Sequence, residues 1–121
     1  MSDIEQAAVQ SISPYRAVQN LLEKAIEQVG LANAALQSGD VEGRGLAVGT
    51  AVTILGILQA SLDKEQGGEI AENLDALYDY MTRLLAGVAL EDGPGSLDEV
   101  LQLLASIKSA WDGIAVEVEP A

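Results

Sequence analysis

Histidine and cysteine are both missing from this chain of 121 residues, and only six of its side chains are basic. Without them there is no imidazole to act as a general base, no thiol nucleophile, and none of the principal soft or nitrogen ligands for a metal. That excludes a histidine phosphotransfer bundle and a ferritin-like di-iron site, whose Glu-x-x-His pairs require histidine. It also excludes a disulfide framework, which fits a reducing compartment. A formal charge of −13 with so few Lys and Arg argues against nucleic acid or an anionic membrane as partner, because both need clustered positive charge. The start, Met1-Ser2-Asp3-Ile4-Glu5, is acidic and lacks the basic residues and apolar run of a secretory signal, so a cytoplasmic location is expected. Gly93-Pro94-Gly95 lacks the lysine and the preceding strand of a phosphate-binding loop. Carboxylates are plentiful but lie mostly off the apolar seams, where nothing would tune them into an acid–base pair. The expectation is a protein that is not an enzyme and carries neither cofactor nor metal.

What is present is apolar and periodic. Residues of apolar type make up 49% of the chain, enough for one folded domain with one core. They recur at alternating steps of four and three in four segments: Val18, Leu22, Ala25, Val29, Ala32 and Leu36; Val48, Ala51, Leu55, Leu58 and Leu62; Ile70, Leu74, Leu77, Met81, Leu84 and Val88; Leu97, Val100, Leu104, Ile107, Trp111 and Ile114. Such spacing puts each series on one stripe of a helix and suits near-parallel packing at about 20°. Ser13-Pro14 reads as a cap followed by proline at the first helical position, and Ser38-Gly39-Asp40 as a stop and a new cap. Gly67-Gly68 and Asp92-Gly93-Pro94-Gly95 separate the later segments, and Ser96-Leu97-Asp98-Glu99 has the form of a capping box. Short connections make neighbouring helices antiparallel. The predicted fold is all-α, an up-and-down four-helix bundle over residues 13–115 with helices near 14–37, 41–62, 68–88 and 97–115. Residues 1–12 would form a loose arm and 116–121 a tail.

The second helix departs from the pattern of the others. No charged residue occurs between Gly45 and Leu62, although a helix in a small bundle should show a polar face to water. Gly45, Gly49, Gly56 and Ala60 fall on one stripe beside the seam, and Leu46, Thr50, Thr53 and Ile57 continue around the side away from it. Each interior glycine costs about 1 kcal/mol relative to alanine, so three of them need a reason. Close approach of another helix is one, either within the bundle or from a partner docked in an apolar groove. A membrane span could cite Gly45-x-x-x-Gly49 and the uncharged length. Against it stand Thr50, Thr53, Gln59 and Ser61, and the acidic, amphipathic character of the other helices.

Tyr78 and Tyr80 point to different sides of the third helix, so at most one joins the seam; each reads as an interface or a core-edge residue. Trp111 belongs to the seam. Asp63, Glu65, Glu69, Glu72, Asp75 and Asp79 form an acidic run that reads as a solvated face, with repulsion of like-charged surfaces or contact with a partner as the alternatives.

The central stretch also carries a resemblance. Leu62-Asp63, Gly67-Gly68-Glu69-Ile70-Ala71, Asn73-Leu74 and Leu77-Tyr78-Asp79-Tyr80-Met81 resemble the signature of the FliS family, the export chaperones of flagellin. The similarity extends to Ser13-Pro14, Gly39-Asp40, Leu97-Asp98-Glu99-Val100 and Ala110-Trp111-Asp112-Gly113-Ile114. It implies a chaperone that binds the C-terminal segment of flagellin, prevents premature polymerisation and delivers it to the flagellar type III export apparatus, with the export gate as a further contact. No Tyr precedes Ser13, where the family's arm usually carries one, so a self-capping role of the arm is not carried over. Gly87-Val88 replaces a common Ala-Asn pair. Together with the bare second helix, the resemblance nominates Leu46, Gly49, Thr50, Thr53, Gly56, Ile57, Asn73, Tyr78 and Tyr80 as a flagellin groove. The free protein is expected to be a monomer or weak dimer outside the membrane. The alternative is a homo-oligomeric structural or adaptor bundle whose second helix packs on its own copy.

Overall fold

The computed structural model describes residues 14–62, 64–89 and 95–118. They form four α-helices, α1 (Pro14–Ser38), α2 (Val41–Ala60), α3 (Lys64–Ala89) and α4 (Gly95–Val118). The expected Ser13 cap, the N-terminal arm, most of the Asp92–Gly95 turn and the end of the tail lie outside the described residues. Each helix packs on its neighbours in chain order and α4 closes back on α1, so that α1 lies diagonally across from α3 and α2 from α4. The result is an all-α antiparallel four-helix bundle.

Local chemistry accounts for the α1–α2 turn. Gly39 takes a left-handed φ of 77°, a conformation that costs glycine nothing, and lets the Asp40 N–H return to the Ala35 carbonyl at 2.8 Å. The Asp40 side chain then accepts from the Gly43 N–H at 2.9 Å and starts α2.

The core is built from the seams. Leu22, Ala25, Val29 and Ala32 of α1, Val48, Ala51, Leu55 and Leu58 of α2, and Leu97, Val100 and Leu104 of α4 are all buried. Enclosing a leucine such as Leu55 or Leu104 completely contributes about 1.5–3 kcal/mol. Only α3 departs from the expected register. There Ala71, Tyr78, Met81, Leu85 and Val88 are buried, while Ile70 is 72% exposed and Leu77 and Leu84 are half-buried. The helix also begins four residues early, at Lys64, and is broken at Gly68, whose φ of 52° and ψ of −125° are not helical. Ile70 therefore sits in the first turn after a break, at the end of the bundle, where nothing covers it. Further along, adjacent apolar pairs (Leu77 with Tyr78, Leu84 with Leu85) support two overlapping seams, and the structure buries the second member of each.

Polar bonds fasten α4 to α1. The Trp111 indole N–H donates to the Tyr15 carbonyl at 2.8 Å, and the two rings lie 5.2 Å apart. Lys108 contacts Asp112 at 2.7 Å and Glu23 at 3.6 Å, while the Gln19 amide donates to Asp112 at 2.8 Å.

Candidate partner-binding site

α2 shows both sides of its composition in the bundle. Ala47, Val48, Ala51, Ile54, Leu55 and Leu58 face inward, so a helix apolar and long enough to cross a membrane is partly a core helix packed between α1 and α3. Its opposite face is open. Leu46 is 70% exposed and Ile57 49%, and Gly45, Gly49, Thr50, Thr53, Gly56 and Ala60 are exposed with them. One side of this helix thus presents carbon and backbone to water over four turns.

The glycines on that face answer a question that periodicity leaves open. A methyl group placed on Gly45, Gly49 or Gly56 would meet nothing within 4 Å. No neighbouring helix of the bundle approaches there, so tight internal packing does not explain them. The threonines are equally undemanding. Thr50 donates its hydroxyl to the Leu46 carbonyl and Thr53 to the Gly49 carbonyl, both at 3.0 Å. With their donors bonded inside the same helix, these side chains ask little of water, and the face behaves as more apolar than its composition suggests.

The two flanks of α2 differ. Toward α1 an open groove of about 570 Å³ runs between Leu31 and Ala35 on one wall and Leu46, Ala47 and Thr50 on the other. Toward α3 the Gln59 amide reaches across to Asp75 and Asp79, at 2.9 and 2.8 Å, and bridges the two helices.

Six of the nine nominated residues, Leu46, Gly49, Thr50, Thr53, Gly56 and Ile57, share the open face of α2. The other three, all on α3, lie elsewhere. Tyr78 is 3% exposed, and burial raises the pKa of its phenol. Tyr80 is exposed and donates its hydroxyl to the Glu99 carboxylate of α4, a bond that raises its pKa. Because α4 is diagonal to α2, Tyr80 is on the far flank of α3 from the open face. Asn73 is exposed on α3 as well.

Tyr78 does reach a surface, at the end of the bundle. It lines a recess of about 360 Å³ with Tyr15, Val18, Leu62, Ile70 and Trp111. Neither cavity is visible in the periodicity. Leu31 lies off the α1 seam, and an isolated apolar residue off a seam is an ordinary surface feature until a second one, Leu46, is known to face it. The recess depends on residues from opposite ends of the chain. Among the described residues no cluster of three acidic side chains is placed to hold a metal ion.

Known proteins of similar sequence match nearly the whole length of the chain. A family model described as flagellar protein FliS matches residues 2–118. The flagellar secretion chaperone FliSB of Pseudomonas aeruginosa is 38% identical over 110 residues, covering 91% of this chain and 87% of the relative. The flagellar secretion chaperone FliS of Vibrio cholerae is 40% identical over 105 residues, 87% of this chain and 77% of its own. That of Salmonella typhimurium is 40% identical over 111 residues, 91% and 82%. These relatives are named as secretion chaperones and not as enzymes, in keeping with a chain that has no histidine and no cysteine. On the family match and these identities, the chain belongs to the FliS family of flagellar proteins.

Proposed function

We propose that this protein is a cytoplasmic export chaperone that holds the C-terminal segment of flagellin, prevents its premature polymerisation and delivers it to the flagellar type III export apparatus. The chaperone role is supported by the names of its relatives. The observation that carries the binding mode is the open face of α2, uncharged and exposed, with glycines whose space no part of the bundle uses.

A chain segment that is disordered when free can fold as helices against such a face. The ordering entropy keeps affinity moderate, so that the cargo is shielded during transit and still released. Glycine positions let a partner helix come close, and satisfied threonine hydroxyls allow contact without stranding a donor. Co-purification with the flagellin of the same organism tests the partner. Calorimetric titration of its C-terminal segment tests the surface: Gly49→Leu and Ile57→Glu should weaken binding while the circular dichroism spectrum is unchanged. Unaltered affinity in both variants would remove the α2 face from the reading.

A further inference from the structure

We infer that the recess at the end of the bundle is a second docking site, which takes one large apolar side chain from a short cationic segment of another protein, with the Tyr78 hydroxyl donating to a backbone carbonyl of that segment. The inference goes beyond the cargo-holding reading and does not depend on it. The recess, about 360 Å³, shares no lining residue with the open face of α2. Its lining joins the rings of Tyr15 and Trp111 to the aliphatic side chains of Val18, Leu62 and Leu74, and Ile70, 72% exposed, stands at its mouth. A concave apolar site of this kind suits an anchoring side chain whose orientation a polar contact then fixes.

Tyr78 supplies that contact. Ser61 and Trp111 spend their donors within the fold, on the Leu58 and Tyr15 carbonyls, both at 2.8 Å. The Tyr78 phenol does not. It is 3% exposed and lines the recess, but its hydroxyl has no hydrogen-bond partner among the described residues, and burial alone accounts for its raised pKa. A buried donor left without a partner costs stability, and an acceptor from outside completes it. Every peptide segment carries such an acceptor in its carbonyls.

Charge selects a foreign segment over the chain's own. The stretch of α3 that carries Ile70 also carries Glu65, Glu69 and Glu72, all exposed, against the single Lys64 at the start of the helix. No basic residue follows until Arg83. On the other helices Lys108 is engaged by Asp112 and Glu23, and Arg16 has a partner of its own. The first twelve residues of the chain hold Asp3 and Glu5 with no Lys or Arg, and a second copy brings a formal charge of −13. Both are repelled where a segment with Lys or Arg beside its anchor is drawn in.

The test uses the full chain and a synthetic peptide, acetylated and amidated, with a central leucine flanked on each side by two lysines. A copy with glutamates in place of the lysines is the control. Trp111 is the one tryptophan of the chain, so its fluorescence reports binding. The lysine peptide should change that signal saturably and bind at least about fivefold more tightly than the glutamate peptide at low salt. Tyr78→Phe keeps the ring and should lower affinity about three- to tenfold, while the urea midpoint stays the same or rises. Ile70→Ser should lower affinity about threefold or more. A fall in stability with Tyr78→Phe would mean that the hydroxyl is bonded inside the fold, and would overturn the inference. So would the absence of a saturable response to the lysine peptide. If serine at positions 4, 9 and 12 together raises affinity, the occupant is the chain's own start and the inference is wrong. It is equally wrong if the flagellin C-terminal segment, at saturation, displaces the peptide, since the recess then belongs to the cargo site. A flagellin segment that fails to bind while the lysine peptide succeeds would overturn the cargo reading and uphold this one.

Discussion

The two flanks of α1 are built differently. Along α4 it is fastened by an indole N–H, a pair of tilted rings, the Gln19 bond to Asp112 and the Glu23 contact with Lys108, all linking residues near the two ends of the chain. Along α2 it shares a core but leaves an open groove lined by leucine, alanine and hydroxyls already bonded within their own helices. The first arrangement closes the bundle and leaves little for a partner to do. The second leaves apolar surface bare where a small acidic protein has every means to cover it with charge. Surface of that kind is retained when something else covers it.

The largest effect that sharpens this contrast lies within α2 itself. Leu55→Ala empties a fully enclosed site and should lower stability by about 2–5 kcal/mol. Leu46→Ala, about two and a half turns away and 70% exposed, should change the urea midpoint hardly at all. Comparable losses at both positions would mean that the outer face is not free.

Glycine gives the next test, because two glycines should respond with opposite signs. Gly49→Ala places a methyl in open space on a helix and should stabilise the protein by up to about 1 kcal/mol. Gly68→Ala forces a side chain into a positive φ and should destabilise it by about 1–2 kcal/mol. If Gly49→Ala destabilises, a close contact within the bundle accounts for that residue, and the docking argument loses its best support.

The smallest effect concerns the α1–α4 clasp and its dependence on pH. The bonds from Lys108 and then Gln19 hold the Asp112 carboxyl below its ordinary value of 3.8. Stability from this group is therefore present above that value and is lost as pH falls through the lower folded value. The bond to Asp112 raises Lys108 above 10.5, so its contribution is present below that and is lost as pH rises past the folded value. Both groups are half-buried and still reached by water, so Lys108→Met should remove only a small increment between those limits and none in strong acid. A loss that persists when Asp112 is protonated would point to packing by the lysine stem instead of charge.

Much of the fold is legible in the sequence, since three of the four seams are read at the positions the bundle buries, and Gly39-Asp40 announces its turn through ordinary capping chemistry. The third seam is displaced for a reason periodicity cannot supply. Where Leu77 adjoins Tyr78 and Leu84 adjoins Leu85, either neighbour satisfies the same step, and the choice depends on how α3 is rotated between α2 and α4. The bare face of α2 is legible because it is an absence of charge along one helix. Its glycines are not, since open space beside them is a property of the other three helices. The Trp111 bond to Tyr15 joins residues 96 apart and exists only once the ring of helices has closed.

The central claim is that the outer face of α2 receives the cargo. Titrating an isotope-labelled chain with the flagellin C-terminal segment and following backbone amide resonances tests it residue by residue. The account predicts that the largest shifts fall on Leu46, Gly49, Thr50, Thr53, Gly56 and Ile57. Shifts confined to α4 and the recess around Tyr78 and Trp111, with α2 silent, would contradict it.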